Sequence, residues 1–349
     1  MHTSTLKRGW VAIAAGLLAL GLLFAGAAPA TGKGGGGKLK LIEDPSLTMS
    51  QPNESPRAVV ECPGKLAPYG GGMFSYPGPD IQGEGVYPHS YERLGAQAGF
   101  HTTPVLFDQT PAGMPGGLIP GIIGPPKGST RSYTVTLQVL CTQKFGKVSD
   151  PHDIALNVPA GTSVTLNAKC RKGTVLIGGG FQRAAFENEG GVYPRESRMI
   201  SPIEWQATGT AFGDIKNDMV SIGYCMGSKK RRPLLTEVAN SVTIAPDQVG
   251  VTTTPTCTGG RKLISNGFNT EPKASNDQYG LMFADGRINP DQSFTASAYN
   301  NGPAPATLTA YGYCIKSKVI GGSLKKFAKK FGDKTESTNK PDQDGNPNG

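Results

Sequence analysis

The chain has 349 residues, room for about two domains, with 49 glycines, 28 prolines and 17% charged residues. Glycine and proline make up about a fifth of it, well above the usual ~12%, which excludes a coiled coil, a helical bundle and a polytopic membrane protein. The 37% hydrophobic content is too high for a fully disordered chain. With a net charge of +9, it reads as a basic, turn-rich, β-rich exported protein.

The N-terminus supports export. Lys7 and Arg8 precede an apolar run from Val11 to Ala28, and Ala28-Pro29-Ala30 has the small-residue form of a cleavage site. Residues 1–30 are therefore expected to be a secretory signal peptide, with an uncleaved membrane anchor as the alternative. Residues 31–57 open with Gly34–Gly37, contain Pro45, Pro52 and Pro56, and lack an apolar period. They are expected to form a flexible linker.

From residue 58 the chain repeats itself three times. Cys62 is followed by Gly70-Gly71-Gly72-Met73, Cys170 by Gly178-Gly179-Gly180-Phe181, and Cys257 by Ser265-Asn266-Gly267-Phe268, each at the same offset. The far ends agree too: strand-like runs finish at Leu140-Cys141, Tyr224-Cys225 and Tyr313-Cys314. Between them, Trp205-Gln206-Ala207-Thr208 matches Phe294-Thr295-Ala296-Ser297, and Gly-Val-Tyr-Pro occurs at 85–88 and 191–194. The repeats are placed at 58–145, 158–228 and 236–316. Six cysteines in an exported chain read as disulfides, and the repeat selects Cys62–Cys141, Cys170–Cys225 and Cys257–Cys314. Glycine triplets in strand-forming sequence predict a bulge or a close backbone approach at strand ends. The first repeat carries an insertion at 111–126 so rich in Gly and Pro that it is expected to be a loop.

The chain ends with a different pattern. After Gly321-Gly322, Leu324, Phe327, Ala328 and Phe331 recur at helical spacing, while Lys325, Lys326, Lys329 and Lys330 occupy the other face. Residues 321–349 are expected to hold a short basic amphipathic helix and a disordered tail. Lys325, Lys326, Phe327, Lys329, Lys330 and Phe331 are candidate contacts to an anionic surface; docking of the apolar residues on the β body is the alternative.

Catalytic and metal signatures are absent from the sequence. There is no zinc spacing and no nucleophile elbow to serve His89, His101 or His152. His89 aligns with Arg195, which suggests a surface position for His89 rather than a catalytic one. Glu84, Glu92, Glu187, Glu189 and Glu196 lie around the shared Gly-Val-Tyr-Pro stretches, but nothing fixes the separation a glycosidase pair requires. Asp342-Gln343-Asp344 begins like a calcium loop and then departs from it. Lys229-Lys230-Arg231-Arg232 is a candidate polyanion contact. Tyr87 and Tyr193 are candidates for stacking on sugars, with packing in the core as the alternative.

The Cys-Pro-x-Gly opening at 62–65, Gly178–Phe181 and the Tyr-x-x-Cys-like endings resemble a recurrent module of exported bacterial, especially actinobacterial, proteins. The resemblance covers about residues 58–316, and the third repeat departs from it at Ser265-Asn266-Gly267. A more distant likeness is to vitelline membrane outer layer proteins, whose three sheet-forming repeats make a β-prism. That likeness implies a carbohydrate-facing surface. The expected fold is all-β, with three disulfide-closed antiparallel repeats, either around a pseudo-threefold axis as in a β-prism or as separate small sandwiches. The expected function is non-enzymatic binding at the cell envelope or extracellular matrix, to an anionic polymer, a glycan or a membrane surface. No cofactor, metal or nucleic-acid partner is expected, and the oligomeric state stays open. A polysaccharide-active enzyme using paired carboxylates and a purely structural matrix protein are the competing readings.

Overall fold

The computed structural model describes residues 39–50, 56, 58–77, 85–94, 99–107, 132–143, 147–184, 190–213, 217–227, 234–272 and 280–317. The signal segment, the 111–126 insertion, the Lys229–Arg232 cluster and the C-terminal residues 321–349, including Lys325, Lys326, Phe327, Lys329, Lys330 and Phe331, lie outside them. The described residues are almost entirely β-strand, with no helical element.

The first repeat supplies β1 (Lys40–Met49), β2 (Ala58–Glu61), β3 (Leu66–Tyr76), β4 (Gly85–Leu94), β5 (Gly99–Phe107) and β6 (Tyr133–Gln143). The second supplies β7 (Val148–Ser149), β8 (His152–Val158), β9 (Ser163–Lys169), β10 (Thr174–Ala184), β11 (Gly190–Ser201), β12 (Glu204–Gly213) and β13 (Asn217–Gly227). The third supplies β14 (Leu235–Ile244), β15 (Val249–Thr253), β16 (Arg261–Glu271), β17 (Leu281–Ile288), β18 (Phe294–Asn300) and β19 (Ala306–Lys316).

The repeats do not fold as separate sandwiches. The first sheet runs β1-β6-β3-β17-β18-β15, the second β2-β5-β4-β10-β13-β7 with β8 also on β13, and the third β14-β19-β16-β11-β12-β9. Each repeat therefore splits into two half-sheets, and each sheet joins half of one repeat to half of another in cyclic order. The halves meet through few register pairs: Met73 opposite Gly286, Phe181 opposite Tyr91, and Phe268 opposite Ser197.

That junction explains the glycine triplets. A Cβ on Gly72, Gly180 or Gly267 would collide with the backbone oxygen of Gly286, Tyr91 or Ser197 respectively, across the junction. The expected bulge is present too, with register shifts at Pro68/Gly70, Leu176/Gly178 and Leu263/Ser265. The triplets, however, lie inside strands rather than at strand ends. The bulged residues Tyr69, Ile177 and Ile264 are all fully buried in one apolar cluster, and the residues at offset eleven, Met73, Phe181 and Phe268, enter the main core. There Phe268 stacks on Phe283 at 3.7 Å between centroids, and Tyr91 and Phe181 meet edge to face at 5.6 Å. These four rings come from all three sheets.

The three disulfides pair as the repeat selects, with Cα–Cα distances of 5.6, 5.7 and 5.7 Å. Cys62, Cys170 and Cys257 follow β2, β9 and β15, while their partners sit in β6, β13 and β19. Each bridge thus links two different sheets. Side chains close two corners as well: the Asp153 carboxylate accepts from the Asn167 backbone N–H at 2.7 Å, and the Asn240 side chain donates to the Thr253 carbonyl at 3.1 Å.

Two boundaries shift. Residues 40–49, expected within the flexible linker, form β1 on the edge of the first sheet against β6. Pro45 is accommodated at an irregularity between Asp44 and Leu47, as an edge strand allows, and Met49 is fully buried. The second repeat likewise begins before residue 158, because β7 and β8 pair with its last strand.

Candidate functional site

Strand alternation defines an outer face on each sheet. In β16, Phe268 enters the core, so Asn269 points away from it, and so does its register partner Glu196 in β11. The irregularity between Pro194 and Glu196 sets this phase. On the outer face of the third sheet, Glu196 and Arg198 of β11 lie opposite Thr208 and Gln206 of β12, which in turn lie opposite Thr165 and Asn167 of β9.

These side chains form one network. The Glu196 carboxylate is fully buried, takes the Arg198 Nε at 2.5 Å and accepts from the Thr208 hydroxyl at 2.9 Å. The Gln206 amide sits between Asn167, at 2.9 Å, and the Glu196 oxygens, at 3.1 Å. Arg198 lies over the Tyr311 ring, 5.5 Å from its centroid. Burial alone would lower the Arg198 guanidinium, but the Glu196 carboxylate reverses this and holds it above its ordinary value. Burial also raises Tyr311 and Glu237, against the opposing pull of Arg198. Asn269 is 7% exposed; its Nδ2 donates to Glu271 at 3.3 Å, while its Oδ1 is buried without a partner. A buried acceptor left unsatisfied beside an ordered polar network is unusual in a native protein.

Arg198, Gln206, Asn269 and Tyr311 were not among the residues singled out from the sequence. Their signal is present in it: Glu196-Ser197-Arg198 and Asp285-Gly286-Arg287 both stand nine residues before the aligned Trp205 and Phe294. At the corresponding place the first repeat has Ser90-Tyr91-Glu92.

Tyr87 and Tyr193, the candidates for stacking on sugars, take the alternative of core packing: they are 1% and 3% exposed. They pack with Met282, Ala284 and Tyr299, so neither offers a free ring face. Arg195 is also interior, at 2% exposure, donating to the Thr210 hydroxyl at 3.2 Å and to the Leu281 carbonyl at 2.5 Å. Burial lowers it to about 10. His152 is exposed. The side chains of His89 and His101, together with Glu84, Glu187 and Glu189, lie outside the described residues. Among the described residues, no group of three or more His, Cys, Asp or Glu could hold a metal ion.

The sequence matches no protein-family model and no curated protein.

Proposed function

We propose that the chain is an exported, non-enzymatic binding protein of the cell envelope or extracellular matrix, and that the outer face of the third sheet binds glycan. The observation that carries this reading is the Glu196–Arg198–Gln206 network beside Tyr311, with Asn269 Oδ1 unpartnered next to it. Buried, pre-oriented amide, carboxylate and guanidinium groups suit paired sugar hydroxyls, which both donate and accept. A half-buried tyrosine ring supplies the apolar contact. Glu196, Glu237 and Glu271 outnumber Arg198 here, which favours uncharged or amino-bearing sugars over anionic polymers. Three disulfides suit an oxidising, extracellular setting. The basic C-terminal segment remains a candidate for weak attachment to an anionic surface.

Calorimetric titration with neutral and amino-sugar oligosaccharides tests this reading. Tyr311→Ala and Gln206→Ala are each expected to weaken binding at least about tenfold, equivalent to ~1.4 kcal/mol, with the fold retained. Absence of binding to every such oligosaccharide, or unchanged affinity in both variants, overturns it.

One observation favours the enzymatic alternative. Burial pushes the Asp285 carboxyl up to about 7, in the range of a general acid at neutral pH. Turnover of a labelled polysaccharide that disappears in Asp285→Asn would establish that reading instead.

A further inference from the structure

The first sheet repeats the geometry of the third with different chemistry. Asp285 and Arg287 of β17 occupy the places of Glu196 and Arg198, and Ser297 and Thr295 of β18 those of Thr208 and Gln206. The hydroxyl contact is kept: Ser297 donates to Asp285 Oδ2 at 3.2 Å, as Thr208 does to Glu196. The ion pair is not. Asp285 is one methylene shorter and turns into the gap where β3 and β17 diverge beyond the Met73–Gly286 pair, accepting from the Ser75 amide at 3.1 Å.

Arg287 is left without a carboxylate. Among the described residues it has no acidic oxygen within ion-pair distance and no hydrogen-bond acceptor, and its Nε is buried and unpartnered. Its guanidinium instead lies over the Phe74 ring, 4.7 Å from the centroid. Phe74 and Tyr76 share the outer face of β3, because Met73 between Gly72 and Phe74 enters the core. Two positions along a strand separate them by about 7 Å. Tyr76 is 79% exposed, the most exposed large apolar side chain among the described residues.

We propose that Arg287, Phe74 and Tyr76 form a second binding site, on the first sheet, for a carboxylate-bearing sugar of an acidic glycan. An unpaired guanidinium with free donors matches a carboxylate in charge and in fork geometry. The adjacent rings give sugar rings an apolar face to lie on. A uronate unit joins both features in one residue, whereas a phosphate on a flexible alditol chain offers nothing for Phe74 and Tyr76 to stack on. The third sheet differs because its arginine is already neutralised by Glu196. The second sheet has Ser90 and Glu92 at the matching places and no arginine there. This site goes beyond the third-sheet reading and stands if the third sheet binds nothing.

The test is titration of the full chain with oligogalacturonate and, in parallel, with a neutral oligosaccharide of equal length, at low and high salt. Oligogalacturonate is expected to bind, and to bind more weakly as salt rises. Arg287→Met should weaken it at least tenfold, Tyr76→Ala several-fold, and Arg287→Lys should restore part of the loss, while Tyr311→Ala leaves it unchanged. Circular dichroism of each variant confirms the fold, and Tyr76→Ala, at an exposed position, serves if Arg287→Met does not fold. Absence of oligogalacturonate binding overturns the proposal. So does a Tyr311→Ala variant, its third-sheet site weakened, that binds the neutral sugar as tightly as oligogalacturonate, or a folded Arg287→Met or Tyr76→Ala that binds oligogalacturonate like the wild type.

Discussion

At the scale of single residues, the junctions between half-sheets set the strictest demands. Gly180→Ala places a methyl group against the Tyr91 backbone oxygen, and no side-chain rotation relieves a backbone clash. It should destabilise by about 3 kcal/mol, the upper range for overpacking. Gly227→Ala, with nothing within 4 Å of its Cβ, should fall within ~0.5 kcal/mol of wild type; urea midpoints of the two variants check both values. Arg195 behaves differently. It is buried, its Nη2 has no partner, and it makes no ion pair among the described residues. Arg195→Met relieves the burial of a charge but leaves the Leu281 carbonyl and Thr210 hydroxyl without their donor; the two effects oppose, so the melting temperature should move by only a few degrees. Asp285 provides a pH signature. Its carboxyl is raised by burial to about 7, with the Ser75 and Ser297 hydrogen bonds opposing, against ~3.9 in an unfolded chain. Between these values the native state keeps a proton that the unfolded chain has lost. Its contribution is therefore fully present below about pH 4, falls as pH rises, and is gone above about 7. Asp285→Asn should flatten the pH dependence of stability in that window and gain stability over wild type at pH 8, by at most about 4 kcal/mol.

At the scale of elements, the disulfides act as staples between sheets rather than clasps within one. The bridges close sequence separations of 79, 55 and 57 residues. Because loop entropy grows only logarithmically, these separations are nearly equivalent. Replacing any one pair by alanine should therefore cost a similar amount, about 4 kcal/mol, measured by urea denaturation of the three double variants. This level was legible in the sequence because symmetry acts on it directly: the cysteine offsets, the triplets and the Phe268-type positions recur at fixed spacing, and each has one physical role. What escaped was information held between repeats. Lys40–Met49 reads as linker because Pro45 and the neighbouring glycines mask its apolar residues, and only the free edge of β6 makes it a strand. For Tyr87 and Tyr193 sugar stacking and core packing both stay open in the sequence, because nothing local shows that Tyr299, from another repeat, packs beside them. The Glu196–Arg198 and Asp285–Arg287 pairs were visible as text, but their meaning depends on irregularities that turn both members of each pair outward.

At the scale of the whole molecule, the cyclic sharing of half-sheets makes the three repeats a single folding unit. Removing the third repeat takes β15, β17 and β18 from the first sheet and β14, β16 and β19 from the third. What remains exposes the β3 and β11 edges, and with them the apolar faces that packed against Leu263, Phe268, Phe283 and Leu308. Solenoid or bead-like repeats behave differently, because each unit contacts only its neighbours and a shortened array stays folded. A chain ending at residue 234 is therefore expected to lack cooperative unfolding and to aggregate through its open edges. The full chain should unfold in a single transition, by heat and by urea, with coincident fluorescence and circular dichroism curves. Two resolved transitions, or a folded two-repeat fragment with native-like amide protection, would show that the half-sheets carry stability of their own and that the ring of three sheets is not required for folding.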